Sequence, residues 1–465
     1  DVGFGSGVAP DAFLYALKVF GAAGSTNLVM DAIEWAMDPN GDGDISDHVD
    51  VINMSLGSDF GPNDENDPEL IAVEAATEAG VFVVASAGNA GDSSYIVGAP
   101  SVSDSALSVA ASTTGFSTAP FILYDTDKKI PYTVGNPFTA TITAELVDVG
   151  TLGADSTLFC DANINDVVAD ALYGKIALIS RGVCSFAEKI NNAEDFGAVA
   201  AIIYNNTDGA FGMITDGSTL PAGSILKSDG LILKGLAPLT VSVGPDSNVT
   251  TFVSDDPPDT IADFSSRGPR GFDSKLKPEI TAPGVAIFAA NMGSGVQGVS
   301  YSGTSMAAPH VAGVAALIKQ ARPGWTNEQI KAAIMNTAVD LADPKSAQVP
   351  RQGAGRVDAY AALNTDVVAV GDPKLVSLSW GVIEVTEATY EDVKTVTLYN
   401  FTGVDKTLDV VTVFTSESDG ATLTPSTTQV IVPALGSTTV DVTLELDTTL
   451  LPLSFGDMEE YYGYV

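Results

Sequence analysis

Residues 303–313 read GTSMAAPHVAG, and this stretch decides the fold predicted for the 465-residue chain. Ser305 stands where a glycine-containing turn enters a helix predicted over Ser305–Gln320, which is apolar almost all round and is therefore expected to be buried. The hydroxyl can there face a cleft, while the backbone N–H groups of the helix start point at any anion that forms beside it. A serine at this position is also a common helix cap, and spacing alone favours that simpler interpretation.

Strand and helix signals alternate on both sides of a long central insertion. A nearly continuous apolar run over Ala12–Phe20 predicts a strand that is buried on both faces. Ser25 and Thr26 are predicted to cap a helix through residues 28–36, and Gly80 is predicted to end a helix over Pro68–Ala79. The other elements of this pattern are Val49–Leu56, Val81–Ala87 and Ala106–Ala111 as strands and Asn327–Thr337 as a helix. Such alternation predicts an α/β fold, with a parallel sheet covered by helices.

Two other regions have a different pattern of strand and helix signals. Short strand-like segments dominate residues 113–258, where Lys175–Arg181 and Ala198–Tyr204 read as strands and Phe186–Phe196 as a helix, which predicts a small separate α/β module. Helical signals stop after Asp366. The segments beyond it that read as strands are Leu375–Trp380, Thr395–Tyr399, Thr407–Phe414, Thr428–Val432 and Thr438–Leu446. Their separation by turns predicts an all-β sandwich.

The composition limits the possible partners. The net charge is −38, from 59 acidic and 21 basic residues, so nucleic acid is excluded because its phosphates would be repelled. An acidic surface favours solubility and would suit calcium-rich or saline surroundings. No apolar stretch reaches the roughly 18 residues that indicate a membrane-spanning helix, so no transmembrane segment is predicted.

The stretch at residues 303–313 resembles the nucleophile motif of the subtilisin-like serine proteases, or subtilases. Other segments resemble parts of the same family in the same order, and they are residues 7–19, Asn53–Gly57, Ala85–Asn89, Ser265–Pro269, Lys277–Gly284 and Gly353–Asp358. The resemblance covers the first 112 residues and residues 259–366. It implies a doubly wound parallel sheet of subtilisin type and an endopeptidase that hydrolyses peptide bonds of proteins through an acyl-enzyme.

The resemblance gives each matching residue an expected role. Ser305 would be the acylated nucleophile, and the Asn89 side-chain amide would donate to the developing oxyanion together with the Ser305 backbone N–H. The residues expected to pair with the substrate backbone as an added strand are Ser55, Leu56 and Gly57. Those expected to form one wall of the primary specificity pocket are Ala85, Ser86, Ala87 and Gly88.

The sequence departs from the family at the other two members of the catalytic triad. A triad needs a histidine base oriented by a carboxylate, and the family order is aspartate, histidine, serine. The Asp-Ser/Thr-Gly and His-Gly-Thr-His motifs are absent, and neither histidine of the chain, His48 or His310, is expected to be the base. The chain opens at Asp1 with no initiator methionine or signal peptide and ends in a strand-like run. Both ends are therefore expected to be truncations, and the chain itself is expected to be close to inert.

A second candidate site is the loop Asp38–Asp47, which reads DPNGDGDISD. Alternating carboxylate and amide oxygens at this spacing suit Ca²⁺, which prefers roughly six to eight hard oxygen ligands. The start imitates an EF-hand, but Val49 stands where that motif needs a glutamate, so Ser46 or Asp50 would help to complete the shell. The residues expected to bind a structural calcium ion are Asp38, Asn40, Asp42, Asp44 and Asp47. A solvated acidic turn is the alternative.

The insertion resembles the protease-associated domain over residues 174–182, 184–186 and 197–206. Its cysteines, Cys160 and Cys184, are expected to form a disulfide, which fits an exported protein, and two buried free thiols are the alternative. The tail resembles the fibronectin-III-like domain of cell-envelope subtilases in its strand pattern and position. The predicted domains are residues 1–112 and 259–366 for the two catalytic parts, 113–258 for the insertion and 367–465 for the β-sandwich.

The leading prediction is therefore a secreted or cell-envelope serine endopeptidase that is monomeric and acts on protein or peptide substrates. The main alternative is a non-catalytic homologue, a binding protein that keeps the cleft and has lost the base. A further alternative is a surface-adhesion protein whose inserted and β domains do the binding.

Overall fold

The computed structural model describes residues 6–21, 25–61, 64, 66–209, 211–245, 249–253, 257–293, 298–343, 348–451 and 459–465. The helices are α1 Val29–Met37, α2 Pro68–Ala79, α3 Phe186–Asp195, α4 Lys227–Leu236, α5 Thr304–Ala321, α6 Asn327–Asn336, α7 Val349–Gln352 and α8 Ala359–Asn364. The strands are β1 Val51–Met54, β2 Phe82–Ser86, β3 Leu107–Ser112, β4 Phe116–Leu123, β5 Lys129–Pro131, β6 Thr133–Asn136, β7 Ile142–Asp148, β8 Ile176–Ser180, β9 Ala200–Tyr204, β10 Ala222–Ile225, β11 Leu239–Val243, β12 Val249–Val253, β13 Ile280–Pro283, β14 Ile287–Ala290, β15 Gly298–Tyr301, β16 Val367–Val370, β17 Thr389–Asn400, β18 Lys406–Asp409, β19 Val413–Phe414, β20 Ala421–Pro425, β21 Gln429–Val432, β22 Ser437–Asp447 and β23 Gly463–Tyr464.

The chain divides into two compact units. One, the insert unit, holds the described residues of 116–254 and 288–300. The other, the main unit, holds those of 3–115, 255–287 and 301–465. In the described residues of both, no helix combines the length and the apolar character that crossing a membrane requires.

A parallel four-stranded sheet forms the centre of the main unit, in the order β1-β2-β3-β13. Val51 of β1 lies opposite Phe82 of β2. Because successive side chains of a strand point to opposite faces, β2 contributes Phe82 and Val84 to one apolar cluster and Val83 and Ala85 to another. Helices α5 and α6 pack in the first cluster, and α1 and α2 pack in the second. The predicted α/β class, a parallel sheet with helices on both faces, is confirmed.

Local sequence signals set the ends of two helices in the main unit. Asp67 caps α2, Pro68 occupies its first position, and Gly80 ends it with a φ of 110°. That φ lies in the left-handed region, which glycine adopts without a steric penalty. Thr326 and Gln329 form a reciprocal capping box at the start of α6. These signals explain why the predicted and observed bounds of α2 agree.

Two predictions at the start of the main unit are wrong, one in the start of a helix and the other in the type of element. The predicted helix is present as α1, but it begins at Val29, and Thr26 accepts from the Leu28 N–H without capping the helix. The apolar run Ala12–Phe20 is not a strand, and Phe13 is 93% exposed. An apolar run is buried as a strand only where neighbouring strands pair with it, and none of the described strands pairs with this segment.

The insert unit is built on a mixed sheet in the order β12-β4-β11-β7-β8-β9-β10-β6. Strands β7 to β10 run parallel, and the strands on either side of this block pair antiparallel. On β8, Ile176 and Leu178 pack in one apolar cluster with α4, while Ala177 and Ile179 pack in another with α3. The predicted strand–helix–strand of the insertion therefore corresponds to β8, α3 and β9.

The C-terminal part of the main unit is antiparallel β structure. Strands β16, β17, β22 and β20 form one sheet, in which Thr389–Tyr399 pairs with Ser437–Asp447, and β18–β21 and β19–β23 form two-stranded sheets. The strand predicted at Leu375–Trp380 is wrong, because none of these residues is in a strand and the Val376 N–H donates to the Asp372 carbonyl oxygen across a turn that includes Leu375. The likeness of this part to a fibronectin-III-like domain stays a prediction, as do the predicted domain boundaries.

Candidate active site

Ser305 is the second residue of α5, at the carboxyl-terminal edge of the parallel sheet in the main unit. Its hydroxyl lies 3.4 Å from the Ser55 carbonyl oxygen, and the Ser55 hydroxyl donates to the Ser305 carbonyl oxygen at 2.7 Å. The serine is half-buried, and Ser55 directly follows the end of β1. Ligands of open α/β folds bind outside the carboxyl ends of the parallel strands, so Ser305 occupies the favoured edge of the sheet.

The first turn of α5 offers a free backbone donor. The first four N–H groups of any helix have no acceptor inside the helix. In α5, Asn89 Oδ1 accepts from the Thr304 N–H, and the Gly303 carbonyl oxygen accepts from the Met306 N–H. The Ser305 N–H has no acceptor among the described residues. This N–H and the positive end of the helix dipole are therefore available to an anion beside Ser305.

Asn89 lies in the loop after β2, and its side chain is held in one orientation. Its Oδ1 accepts from both the backbone N–H and the hydroxyl of Thr304, at 2.8 and 3.0 Å. Because two donors fix the oxygen, the NH₂ group is the part of the amide that remains to bind a ligand. Among the described residues neither Asn89 Nδ2 nor the Ser305 N–H has an acceptor, and Thr304, which directly precedes Ser305, holds the Asn89 side chain.

Sequence reasoning misses two residues that brace this loop. Thr304 is fully buried, and its hydroxyl lies 3.2 Å from the Gly88 nitrogen, from which it accepts. Ser266 Oγ accepts from the Ala90 N–H at 3.1 Å, and the Ser266 N–H donates to the Gly88 carbonyl oxygen. The position of Thr304 directly before Ser305 is a signal that sequence offers. The part played by Ser266 depends on the folded chain.

The two segments predicted to bind substrate lie at the ends of neighbouring strands. Ser55–Gly57 follows β1, and Ala85–Gly88 ends β2 and continues into the loop after it. The Ser86 hydroxyl lies 3.4 Å from the Leu56 carbonyl oxygen, and this contact ties the two segments together. Within the second segment only Gly88 is half-buried, and the other three residues are buried. The structure thus brings both segments to the sheet edge that carries Ser305.

Neither histidine of the chain forms a hydrogen bond with Ser305. His310 Nδ1 forms a hydrogen bond with the Met306 carbonyl oxygen at 2.8 Å, one turn back along α5. His48 Nδ1 forms a hydrogen bond with the Val49 carbonyl oxygen at 2.9 Å. A general base must lie within hydrogen-bond reach of the proton that it removes. The described residues therefore supply no imidazole for the Ser305 hydroxyl.

A buried ionic cluster joins β3 and β13 at their amino ends. The Glu279 carboxylate is fully buried and pairs with Lys277 at 2.9 Å and Lys331 at 2.5 Å. It also accepts from the Ser108 N–H at 2.9 Å. Burial lowers the pKa of Lys277, and the charge of Glu279 opposes that shift. Removing one member would leave an uncompensated buried charge and would therefore destabilise the sheet that positions the site.

The acidic side chains of the loop Asp38–Asp47 hydrogen-bond the backbone of the loop. Asp38 accepts from the N–H groups of Gly41, Asp42 and Gly43 at 2.8 to 3.1 Å. The side chains that accept from the N–H two residues further on are those of Asn40, Asp42 and Asp44. In the described part of the chain, no three carboxylates of this loop lie within 4.8 Å of one another. The residues from Asn40 to Asp47 are exposed, and Asp38 is half-buried.

Cys160 and Cys184 form a disulfide in the insert unit, with an S–S distance of 2.00 Å. Beside it, Lys189 of α3 is fully buried, donates to the Leu158 carbonyl oxygen and lies 3.6 Å from Cys160 Sγ. Burial lowers the pKa of Lys189 to about 8, and the charge of Glu188 opposes that shift. The insert unit therefore buries this ammonium group without an ion pair among the described residues.

Comparison with known proteins gives the family. The family model described as the Subtilase family matches residues 2–355. The chain belongs to the subtilase family. The minor extracellular protease Vpr of Bacillus subtilis (strain 168) is 33% identical over 452 residues, which cover 92% of this subtilase chain and 51% of that protein. The PII-type proteinase of Lactococcus lactis subsp. cremoris is 33% identical over 77% of this chain and 21% of that protein.

The relatives that match the chain also include a protein of Arabidopsis thaliana. The subtilisin-like protease SBT1.7 of Arabidopsis thaliana is 30% identical, over 79% of this subtilase chain and 50% of that protein. The chain thus spans about half or less of the length of these curated relatives. Among solved structures, the psychrophilic subtilisin-like protease Apa1 of Pseudoalteromonas sp. AS-11 has 22% identity and a TM-score of 0.39, covering 74% of this chain and 76% of that chain. Family membership rests on the sequence matches.

Proposed function

We propose that this subtilase chain carries the nucleophile and the oxyanion donors of a serine endopeptidase. The observation that carries the proposal is the double anchoring of Asn89 Oδ1 by Thr304, which leaves Asn89 Nδ2 and the Ser305 N–H without an acceptor among the described residues. Donors fixed before the reaction stabilise charge that develops in the transition state at no cost of reorganisation. The names of the relatives Vpr, PII-type proteinase and SBT1.7 all describe proteases, which supports the same proposal.

In the proposed reaction, Ser305 Oγ attacks the carbonyl carbon of a substrate peptide bond, and the two donors bind the resulting oxyanion. The tetrahedral intermediate collapses to an acyl-enzyme as the amine leaves with a proton, and water then releases the acid. The substrate backbone would add as a strand to Ser55–Gly57, and Ala85–Gly88 would form a wall of the specificity pocket. Proteins or peptides are therefore the proposed substrates.

Efficient turnover in this scheme needs a base, and both histidines of the chain are engaged elsewhere. Removing the histidine base of a subtilisin costs on the order of 10⁶ in turnover. We therefore expect the 465-residue chain alone to cleave peptides at a rate close to that of its Ser305→Ala variant. The aspartate and histidine of the triad would come from residues outside this sequence.

Chemical rescue tests this expectation. Imidazole added to the chain should raise the hydrolysis rate of an activated ester, because it can take the Ser305 proton in place of a side chain. The Ser305→Ala variant should show no increase beyond the rate of imidazole alone. A chain that cleaves peptides rapidly without imidazole would contradict the missing base, and equal rescue of both proteins would contradict the role of Ser305.

A second candidate function is a non-catalytic subtilase homologue that binds proteins or mediates surface adhesion. The observation that favours it is that no imidazole of the described residues forms a hydrogen bond with Ser305. A binding protein would bind peptide at the cleft and show no Ser305-dependent labelling by a serine-directed probe, even when expressed from its complete reading frame. An endopeptidase would be labelled.

We further propose a secreted or cell-envelope, monomeric protein with a protease-associated domain at residues 113–258 and a fibronectin-III-like domain at 367–465. The word extracellular in the name of Vpr supports the location. The Cys160–Cys184 disulfide supports it as well, because disulfides persist in oxidising compartments. Light scattering after size-exclusion chromatography would test the monomer, and detection in culture medium or cell-wall fractions would test the location.

We also propose that the loop Asp38–Asp47 binds a structural calcium ion. Its oxygen donors are of the kind that Ca²⁺ prefers, and Asp38 already holds the turn together. The proposed ligands are Asp38, Asn40, Asp42, Asp44 and Asp47. A ligand that binds only the folded state raises stability, so excess Ca²⁺ should raise the melting temperature above that in chelator. The rise should be lost in Asp42→Asn and kept in Asp127→Asn, an exposed control, and an equal rise in both variants would contradict the assignment.

A further inference from the structure

A cavity of about 370 Å³ lies in the insert unit, at the carboxyl ends of β8 and β9. It is lined by residues 181–184 and by Phe186, Asn206 and Thr207. Strands β8 and β9 are parallel neighbours, and the loops that follow such strands are the preferred ligand sites of α/β folds. None of the residues assigned to the Ser305 site lines this cavity.

Arg181 directly follows β8 and is fixed in the cavity wall by two contacts. Its Nη1 donates to Asn205 Oδ1 at 3.1 Å, and its guanidinium lies 4.8 Å from the centre of the Phe211 ring. Asn205 is itself only 2% exposed, and its amide donates to the Gly209 carbonyl oxygen at 2.7 Å. The guanidinium is therefore held in a defined plane by a buried partner and an aromatic face.

Arg181 forms no ion pair with any described residue. The chain has 59 acidic residues against 21 basic ones, so an arginine without a carboxylate stands out. The arginines that do pair with carboxylates are Arg267, Arg270, Arg351 and Arg356. A guanidinium presents a planar fork of N–H groups that matches a carboxylate in geometry. Arg181 therefore offers a preorganised carboxylate receptor at the cavity.

Apolar groups flank this receptor. Phe186 stacks on Phe211 with ring centroids 5.5 Å apart. Val183 is 96% exposed and has a φ of 43°, a conformation that β-branched residues rarely adopt. The disulfide of Cys184 with Cys160 anchors the chain directly after this valine. The loop thus holds the Val183 side chain in solvent, in a backbone conformation that valine disfavours. This side chain lies at the same cavity as the Arg181 guanidinium, which has no ion pair among the described residues.

We propose that this cavity binds peptides through a carboxylate, with Arg181 as its charge partner and with Val183 and Phe186 contacting an adjacent apolar side chain. The exposed residues Asn206 and Thr207 add polar groups to the lining. The carboxylate comes either from an acidic side chain or from a peptide C terminus. Binding at this site does not depend on hydrolysis at Ser305, so it goes beyond the proposed catalytic function.

The test uses the full chain carrying Ser305→Ala, which prevents cleavage, and fluorescence anisotropy with dye-labelled peptides. Three peptides share a core that contains phenylalanine. The first has an aspartate and an amidated C terminus, the second an asparagine and a free C terminus, and the third an asparagine and an amidated C terminus. We expect binding of the first, the second or both, weakened by added salt, and at least about tenfold weaker binding of the third. The peptide that binds identifies the source of the carboxylate.

Variants of Arg181 complete the test. Arg181→Gln should weaken binding of the carboxylate peptide by about 10- to 100-fold, because hydrogen bonds to a charged group are lost. The peptide affinity of Arg181→Lys should lie between those of the wild type and Arg181→Gln, because an ammonium group keeps the charge and lacks the planar fork. Arg322→Gln is the matched control, since Arg322 also lacks an ion pair among the described residues and lies over the Trp325 ring.

Calorimetry and a thiol titration would show that each variant is folded with its disulfide intact. If Arg181→Gln fails this check, Arg181→Lys decides the question alone. Equal binding of all three peptides would overturn the proposal. So would no binding of either carboxylate peptide, affinity unchanged by the Arg181 variants, or an equal loss in Arg322→Gln.

Discussion

The Ser305 site of the main unit and the Arg181 cavity of the insert unit occupy similar positions in their folds and differ in the type of hydrogen-bond donor that they present. Each lies at the carboxyl ends of parallel strands, beside the start of a helix, α5 in one case and α3 in the other. At Ser305 the donors are neutral amide groups, and Thr304 fixes the orientation of Asn89. At the cavity the donor is a permanently charged guanidinium, which Asn205 holds in place.

This difference separates two kinds of function. Neutral donors in fixed positions favour an oxyanion that forms only in the transition state, which is the requirement for catalysis. A permanent cation favours an anion that the ligand already carries, which stabilises the bound ground state. Variants in the main unit should therefore change turnover, and variants at the cavity should change peptide affinity.

Asn89→Leu is expected to give the largest difference between an effect on turnover and an effect on peptide affinity. In the protein expressed from its complete reading frame, this variant should lower kcat by about 10² to 10³ and change KM little, a magnitude known from a subtilisin. Its affinity for the carboxylate peptide should stay at the wild-type value. Steady-state kinetics with a chromogenic peptide and the anisotropy assay give both numbers. A preserved kcat with a raised KM would contradict the oxyanion role of Asn89.

A smaller effect is expected from Thr304→Val, which removes one of the two donors that hold Asn89 Oδ1. The hydroxyl also accepts from the Gly88 N–H, so the substitution removes two hydrogen bonds, and a total of about 1.4 to 2.7 kcal/mol predicts a decrease in kcat of about 10- to 100-fold. Thr304→Ser keeps the hydroxyl and is the control. Because Thr304 acts through Asn89, Thr304→Val should have little further effect in the Asn89→Leu background. Additive losses in the double variant would show that Thr304 acts independently.

The smallest effect concerns the pH dependence of stability in the insert unit. Burial lowers the pKa of Lys189 to about 8 from 10.5, and Glu188 is the charged group that opposes the shift. Below pH 8 the ammonium is charged in the folded and unfolded chains, so its burial cost is fully present. Between pH 8 and 10.5 the unfolded chain retains the proton that the folded chain has released, so stability rises with pH.

Lys189→Met should therefore raise the melting temperature most near neutral pH, and its advantage should shrink as the pH approaches 10.5. Scanning calorimetry across this range measures the difference from wild type. Lys227→Met, on α4 of the same unit, is the control for the same substitution at another lysine. A difference that stays constant with pH would contradict a buried, protonated Lys189.

The parts of the fold that sequence predicts well are those whose signals are local. The bounds of α2 follow from Pro68 at its start and Gly80 at its end, because each residue acts on its own turn of backbone. The sequence predicts strands at Ala12–Phe20 and Leu375–Trp380, and neither segment forms one, because a strand depends on partners elsewhere in the chain. Apolar character alone does not specify those partners.

The same distinction applies to the candidate sites. The motif at residues 303–313 singles out Ser305, and a second motif singles out Asn89, although their roles stay predictions. The bond from Thr304 to Asn89 joins residues 215 positions apart, so no local pattern announces it. Arg181 becomes notable only because no described carboxylate pairs with it, and that is a property of the folded chain.

The most direct measurement is labelling with a serine-directed fluorophosphonate probe, applied to the protein expressed from its complete reading frame. The proposed endopeptidase predicts rapid labelling of the wild type at Ser305, none of Ser305→Ala, and far slower labelling of the 465-residue chain. Absence of labelling in a folded wild-type protein that still binds peptide would contradict catalysis at Ser305 and leave a subtilase homologue that only binds.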